Sequence, residues 1–134
     1  MSQILGHVIQ AEQMSVGYMA KKINAIGEVD NTGLWGEFML GVLIVSQRLP
    51  LKYKAPKNLG DQPPAYADVA AAQQDWDQAR LSLRQFLETV PNSGLSKKIY
   101  RHPVMGRCNV VHALKFFREH LIHHKPQILR QLKG

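Results

Sequence analysis

The 134-residue sequence contains only one cysteine, Cys108. A single thiol excludes an intrachain disulfide framework and a metal site built from several thiolates. Cys108 precedes the last predicted helix, where the helix dipole could lower the pKa of a reactive thiol. Free cysteines are also common as small buried hydrophobic residues, so the sequence leaves both roles open.

Long hydrophobic runs are missing as well. Apolar residues make up 45% of the chain, but no run reaches the roughly 20 residues that a membrane-spanning helix needs. The longest run, residues 38–45, is predicted to be a buried helix segment. The N-terminus lacks the charged and apolar regions of a secretory signal, so we expect a cytoplasmic protein with no membrane partner. The length fits a single domain spanning residues 1–134.

Acidic residues are nearly absent from residues 91–134. This region contains many lysine and arginine residues but only one acidic residue, Glu119. The net charge of +7 could attract nucleic acid, or an anionic thiol or carboxylate substrate. No nucleic-acid-binding motif accompanies the charge, and Phe116 and Phe117 fit core packing better than base stacking. A solvated basic helix face is the alternative, and nucleic acid is the least favoured partner.

The residue pattern predicts an all-α protein. Apolar residues recur at helical spacing in four segments, which are separated by clusters of glycine, proline and asparagine. No segment has a convincing strand pattern. Residues 51–64 are predicted to be an extended connection and residues 100–106 a loop. The predicted helices span about residues 2–24, 34–49, 66–90 and 109–132.

Capping residues and prolines predict where these helices begin and end. Ser2, Thr32 and Asn109 are candidate N-caps, and Pro50 stops the second helix. Pro126 lies inside the last helix, where it removes a backbone hydrogen bond and costs about 3 kcal/mol in an ordinary helix interior. We therefore expect tertiary packing to hold this part of the chain.

His120 and His124 lie four residues apart in the last helix, within or beside an apolar stripe. Residues i and i+4 share a helix face, so both imidazoles can reach one metal ion about 2.0–2.1 Å away. His123 points roughly 100° away from His124. Each buried ring nitrogen needs a partner, and either a shared metal or separate neighbouring groups would supply it. The stripe consists of Val110, Leu114, Phe117, Leu121 and Ile128.

A third histidine, His7, lies toward the apolar side of the first helix. Two bundle helices could bring its ring to His120 and His124. Three protein nitrogens with one open position form the arrangement of a catalytic zinc site, although spacing alone does not establish the convergence. The apolar stripe beside His7 consists of Ile4, Val8, Ala11, Met14 and Tyr18.

Three segments carry a resemblance to a known family: residues 5–12 (LGHVIQAE), 102–106 (HPVMG) and 120–128 (HLIHHKPQI). In order and spacing they resemble the DinB-like (DinB/YfiT) superfamily of bacterial metal-binding helical bundles. Members carry one histidine early in a helix and an H-x-x-x-H pair in the last helix, usually followed by glutamine. The resemblance implies an up-down four-helix bundle and a metal triad of His7, His120 and His124. Gln127 fixes this register, so His123 is the neighbour of a ligand.

The resemblance also implies a divalent metal, most simply zinc or nickel, and a small-molecule substrate. Relatives include transferases and isomerases that use low-molecular-weight thiols, and metal-dependent hydrolases. We therefore expect a thiol-dependent transferase or hydrolase. An open metal position suits both, because it lowers the pKa of a bound thiol or water. The alternative is a metal-binding or metal-free bundle without catalysis.

The sequence departs from the family at its start. Family members usually have a complete helix before the one that bears the first histidine, whereas Met1 here lies close to His7. The resemblance therefore implies a bundle that lacks the family's first helix, with residues 34–49 as an insertion. A missing helix would leave an apolar groove exposed. Because such surfaces usually find a partner, we expect a homodimer.

Three further residues are candidates for supporting roles. Glu12 could orient a ligand ring or act as a base, or it could form a salt bridge. His102 is expected to be a loop residue that hydrogen-bonds near the last helix, with metal ligation as the less favoured role. Tyr18 is expected to be a core aromatic residue, with a hydrogen-bond donor in the pocket as the alternative.

Overall fold

A computed structural model describes residues 3–49, 65–102 and 105–133 of the chain. The described residues are mostly helical, which confirms the main part of the expected fold class. The predicted Ser2 cap, the Pro50 stop and the connection at 51–64 lie outside them. The helices are α1 (Gln3–Lys22), α2 (Leu34–Arg48), α3 (Val69–Thr89) and α4 (Val110–Lys133), with 3₁₀ segments at Ile23–Glu28 and Asn92–Gly94.

A small antiparallel hairpin precedes α4, so the prediction of a loop without strands is wrong. Its strands are β1 (Tyr100–His102) and β2 (Gly106–Cys108), with Tyr100 paired to Cys108 and His102 to Gly106. Gly106 has φ 73°, a left-handed conformation that glycine adopts without steric cost. Strands of three residues are too short to produce an alternating sequence pattern, which is why the hairpin was not predicted.

Asn109 caps α4 as predicted. Its Oδ1 accepts a hydrogen bond from the His112 backbone N–H at 2.9 Å, which satisfies one of the free donors at the helix start. Helix α3 begins later than predicted because Asp68 is its N-cap, and the Asp68 side chain accepts from the Ala71 backbone N–H at 2.8 Å.

Thr32 does not cap α2, and that prediction is wrong. Gly33 occupies the N-cap position without a side-chain hydrogen bond. The Thr32 hydroxyl instead donates to the Ser96 carbonyl at 3.2 Å and accepts from Asn109 Nδ2 at 2.8 Å. Thr32 therefore connects the start of α2 to the segment before the hairpin and to the start of α4.

Helix α1 packs against α3 and α4, and α2 packs against α4. The apolar stripe predicted for the last helix, now α4, faces the protein interior. Val110 and Phe117 are buried, and Leu114, Leu121 and Ile128 are half-buried. Pro126 lies inside α4, also as predicted. The main core is formed by residues of all four helices and the hairpin, among them Val16, Met19, Leu40, Leu43, Leu83, Phe86, Ile99, Tyr100, Ala113 and Phe117.

The buried side of α1 differs from the predicted stripe. Met14 is 39% exposed and Tyr18 38% exposed, so neither is a core residue. Because α1 contacts two helices, its buried arc is wider than one stripe and is turned away from Met14 and Tyr18. The buried residues are Gly6, Val8, Ile9, Ala11, Glu12, Ser15, Val16 and Met19.

Helix α2 is buried on one side only, so the prediction that residues 38–45 are a buried segment is wrong in part. Leu40 and Leu43 are buried, whereas Phe38 is 60% exposed and Val45 61% exposed. The reason is that α2 uses one face to pack against α4, and its other apolar face points outward.

In the described part of the chain, no helix combines the length and the apolar character needed to cross a membrane.

Candidate metal centre

The three predicted histidines lie together where α1 packs against α4. The Nε2 atoms of His7 and His120 are 3.2 Å apart. The ring centroid of His7 lies 5.0 Å from that of His120 and 5.2 Å from that of His124, and the two α4 rings are 4.7 Å apart. One ligand atom from each ring lies within 4.8 Å of the other two. The three imidazoles therefore offer three nitrogens to one point in space.

This spacing fits a first-row divalent metal ion. A tetrahedral ion about 2.0–2.1 Å from each nitrogen separates its ligand nitrogens by about 3.3 Å. The 3.2 Å between His7 and His120 is close to that value. The limit of 4.8 Å for the whole set leaves it at most about 1.5 Å wider than a closed tetrahedral shell. A set of imidazoles suits zinc, nickel, copper and iron.

Burial keeps the three rings neutral. It lowers the pKa of His7 and of His124 below the usual value. The pKa of His120 falls to about 3, first because the ring is buried and then because of the nearby His124 and His7. A neutral imidazole has a lone pair on one ring nitrogen, which is the form that binds metal ions. The electrostatics of the site thus agree with its geometry.

Gln127 fixes the orientation of His124. The His124 Nδ1–H donates to the Gln127 side-chain carbonyl at 2.7 Å, which leaves the lone pair on Nε2. A metal-binding histidine commonly donates its other ring N–H to a carboxylate or carbonyl in this way. In the sequence motif, Gln127 only follows the histidine pair. The structure adds its hydrogen bond to His124.

An aromatic contact supports His120 on another side. Phe116, one turn earlier on α4, stacks against the His120 ring at 5.1 Å between centroids. His102 of β1 packs against Phe116 at 4.4 Å. His102 is buried, which lowers its pKa to about 4, and its Nδ1 accepts from the Met105 backbone N–H at 3.2 Å. The hydrogen-bonding role predicted for His102 is confirmed, although it lies in a strand.

Glu119 is a buried charged residue next to His120. Its burial and its position beside the site were not predicted from the sequence. Its side chain is 0% exposed and accepts two hydrogen bonds from Arg48, at 2.6 and 3.0 Å, and one from Arg118 at 3.1 Å. The hydrogen bond from Arg48 is the main cause of the lowered pKa of Glu119. This bidentate pair fastens the end of α2 to α4 next to His120.

Glu12 forms a salt bridge, which was one of its three expected roles. It is 2% exposed, and its Oε1 accepts from Arg80 on α3 at 2.8 Å. In the described ranges, no hydrogen bond joins Glu12 or Glu119 to a ring of the triad. Burial raises the pKa of the Glu12 carboxyl group. The nearby Arg80 lowers it, but by less.

His123 points away from the triad, as predicted. Its Nδ1 donates to the Gln47 backbone carbonyl of α2 at 2.8 Å. Tyr18 is partly exposed, with the Lys22 ammonium over its ring at 5.7 Å.

Cys108 is buried, and burial raises the pKa of its thiol to about 12. This decides the open question about Cys108 in favour of a buried, unreactive thiol.

His112 is a further buried histidine that the sequence analysis did not single out. Its Nδ1 accepts from the Asn109 backbone N–H at 3.4 Å, and its Nε2 donates to Glu37 at 2.8 Å. Because both nitrogens have protein partners, His112 is a structural contact between α4 and α2. Its position near the start of α4, outside the H-x-x-x-H pair, gave no signal in the sequence.

No protein-family model, no curated protein and no solved structure matches this chain. The interpretation of the site therefore rests on its own residues and their geometry.

Proposed function

We propose that the protein is a divalent metal-binding helical bundle of the DinB-like type, with His7, His120 and His124 as ligands and zinc or nickel as the metal. The observation that carries the proposal is the convergence of three neutral imidazoles from α1 and α4. The same three positions are those that the DinB-like motif assigns to its metal ligands. Gln127, which follows the pair in that motif, is hydrogen-bonded to His124.

A thiol-dependent transferase is the activity that we favour for this site. A bound divalent ion with an open position lowers the pKa of a thiol or a water, so that a nucleophile exists near neutral pH. Glu12 and Glu119 are both held in ion pairs with arginine. Among the described residues, the Oε2 of Glu12 has no hydrogen-bond partner, so Glu12 is the better candidate of the two for a proton acceptor, although no hydrogen bond joins it to the triad. A thiol, with an ordinary pKa of about 8.5, needs far less help to lose its proton than water at about 15.7. The surrounding chemistry therefore supports a thiol substrate over hydrolysis.

A second candidate is a metal-binding protein without catalysis. The observation that favours it is that both carboxylates are paired with arginine and that, in the described ranges, neither is hydrogen-bonded to a ring of the triad. Incubation of the metal-loaded protein with a low-molecular-weight thiol and an electrophile separates the two. Thiol transfer that is lost in a His120→Ala variant supports the enzyme, whereas its absence with a panel of thiols supports the non-catalytic protein.

The first test is metal content, measured by inductively coupled plasma mass spectrometry on protein without a polyhistidine tag. We expect about one metal ion per chain, and the element found decides between zinc and nickel. His124→Ala removes one of three ligands and should lose most of the metal. His123→Ala is the matched control, because His123 is the adjacent residue and its ring points to Gln47.

Two outcomes would contradict the proposal. One is a wild-type protein that stays free of metal after incubation with zinc and nickel. The other is equal loss of metal in the His123→Ala and His124→Ala variants, which would place the ion away from the triad.

A further inference from the structure

The outward side of α2 carries a row of exposed apolar side chains, which we call the α2 face. Trp35 is 71% exposed, Phe38 60% and Val45 61%. Successive members are three, four, three and four positions apart, the seam spacing of a helix that packs against another helix. Leu40 and Leu43, on the opposite side, fill the core. The α2 face consists of Trp35, Phe38, Val42, Val45 and Leu49.

The middle of the α2 face is shaped for close approach by another helix. A shallow groove runs along it, and its lining includes Gly41 and Val42. A Cβ added to Gly41 would meet nothing within 4 Å, so the missing side chain leaves a dip between Phe38 and Val45. Small residues at such positions allow two helices to approach closely.

The exposed apolar area of the α2 face can be compared with that of known interfaces. Aromatic side chains present roughly 150–250 Å² each, so Trp35 and Phe38 together leave about 300 Å² exposed. With the aliphatic members, the α2 face presents roughly 500–550 Å² of apolar surface, which is at the upper end of the range for the largest patch on a monomer. This is about two thirds of the roughly 800 Å² per partner of a stable interface, so the flanking polar residues would supply the rest. A partner is therefore expected to cover it.

We propose that a second copy of this chain covers the α2 face, with the two α2 helices antiparallel about a two-fold axis near Val42. Trp35 and Leu49 each lie seven positions from Val42, and Phe38 and Val45 lie four and three positions from it. An axis at Val42 therefore places Trp35 of one copy near Leu49 of the other, and Phe38 near Val45. The same patch is used on both copies, as a two-fold interface requires.

The charges at the ends of α2 favour the antiparallel orientation. Glu37 is 60% exposed near the N-terminal end, where it also accepts from His112. Arg48 is 56% exposed at the C-terminal end, where it and Arg118 share the single carboxylate of Glu119. Two arginines on one carboxylate leave the C-terminal end positive, and Glu37 leaves the N-terminal end negative. An antiparallel pair brings these opposite ends toward each other, whereas a parallel pair would place like charges together. One acid and one base along the whole of α2 also differ from the lysine- and arginine-rich flanks of a helix that binds anionic membranes.

Oligomeric state is the first test, measured by light scattering and sedimentation from about 1 to 100 µM. We expect a dimer for the wild type. Val42→Glu places two carboxylates at the axis and should weaken dimerisation by more than about tenfold. Leu81→Glu is the matched control, since Leu81 is 46% exposed on α3, away from α2. Circular dichroism checks that both variants remain helical.

Cysteine cross-linking tests the orientation. Val42→Cys should form a disulfide-linked dimer by itself. Trp35→Cys and Leu49→Cys should not cross-link alone but should do so when the two variants are mixed. Efficient cross-linking of each single variant by itself would show a parallel pair and overturn the antiparallel arrangement. Native Cys108 is buried and does not interfere.

A wild-type monomer at about 100 µM would overturn the proposal. In that case, co-sedimentation with anionic lipid vesicles would identify a membrane as the occupant. A dimer that survives Val42→Glu and fails to cross-link would also overturn it. The inference does not depend on the metal site, so a metal-free dimer would leave it intact.

Discussion

At the scale of single residues, the three histidines of the candidate centre are held to different degrees. Gln127 holds His124 through a hydrogen bond, and Phe116 stacks against His120. Among the described residues, the His7 ring has a hydrogen bond with His120 alone. The two α4 rings are thus preorganised, and His7 has the most freedom to adjust when an ion binds.

The contact with Gln127 leads to a prediction about metal affinity. Gln127→Ala keeps all three ligands but releases the orientation of His124, and loss of such a supporting hydrogen bond typically weakens metal binding about 10- to 100-fold. Competition with a chromogenic zinc chelator measures the change. Gln131→Ala, one turn further along the exposed end of α4, should bind zinc like the wild type. Equal affinity in all three proteins would show that Gln127 does not orient the ligand.

A second residue-scale prediction concerns Cys108. With its pKa raised to about 12 by burial, the thiolate fraction near pH 8 is about one part in ten thousand. Iodoacetamide should therefore leave the native protein almost unmodified, while the same protein in guanidinium chloride reacts readily. Mass spectrometry follows the modification over time. Rapid alkylation of the native protein would restore the reactive role that the sequence left open.

At the scale of secondary-structure elements, the start of α4 is held by more than one contact. Asn109 caps the helix through its Oδ1 and donates to Thr32 through its Nδ2. The cap therefore also connects α4 to the chain just before α2. Because α4 carries two of the three histidines, this junction helps to set the position of the site.

Removing the cap should destabilise the protein measurably. Loss of an N-cap asparagine costs about 1 kcal/mol, and Asn109→Ala also leaves the Thr32 hydroxyl without its donor. We expect the free energy of unfolding in urea to fall by about 1–2 kcal/mol. Asn24→Ala, at an exposed position, should change it little. If the two variants were equally stable, Asn109 would have no capping role.

The sequence predicts which side of a helix is buried only where apolar and polar residues alternate clearly at helical spacing. His120 and His124 share one face of a long amphipathic helix, so their proximity followed from helical spacing. The side of α2 that faces the core could not be predicted in this way. A helix that is apolar on nearly every side has no polar face to mark its exposed surface. The pairing of Arg48 with Glu119 joins positions 71 apart in sequence, and no local pattern reveals a contact of that range. The third histidine of the candidate centre, His7, was found through its position on a stripe, although Met14 and Tyr18 of that stripe proved exposed.

At the scale of the whole molecule, an ion at the candidate centre would tie α1 to α4. A ligand that binds only the folded state stabilises it by about 2.7 kcal/mol at a concentration 100-fold above its dissociation constant. Zinc should therefore raise the midpoint of thermal unfolding of the metal-free protein. His7→Ala should lose most of this increase, and His123→Ala should keep it. An equal increase in both variants would mean that zinc binds elsewhere.

The two ring nitrogens that lie 3.2 Å apart come from residues separated by 113 positions in the sequence. A contact of such long range closes a long loop, which costs conformational entropy, and these rings meet only once α1 and α4 have docked. A nascent chain without α4 has only His7, and a peptide containing only α4 has only His120 and His124, so neither has the complete candidate site. Metal uptake would then follow folding instead of guiding it, and a chain that misfolds would not retain the ion.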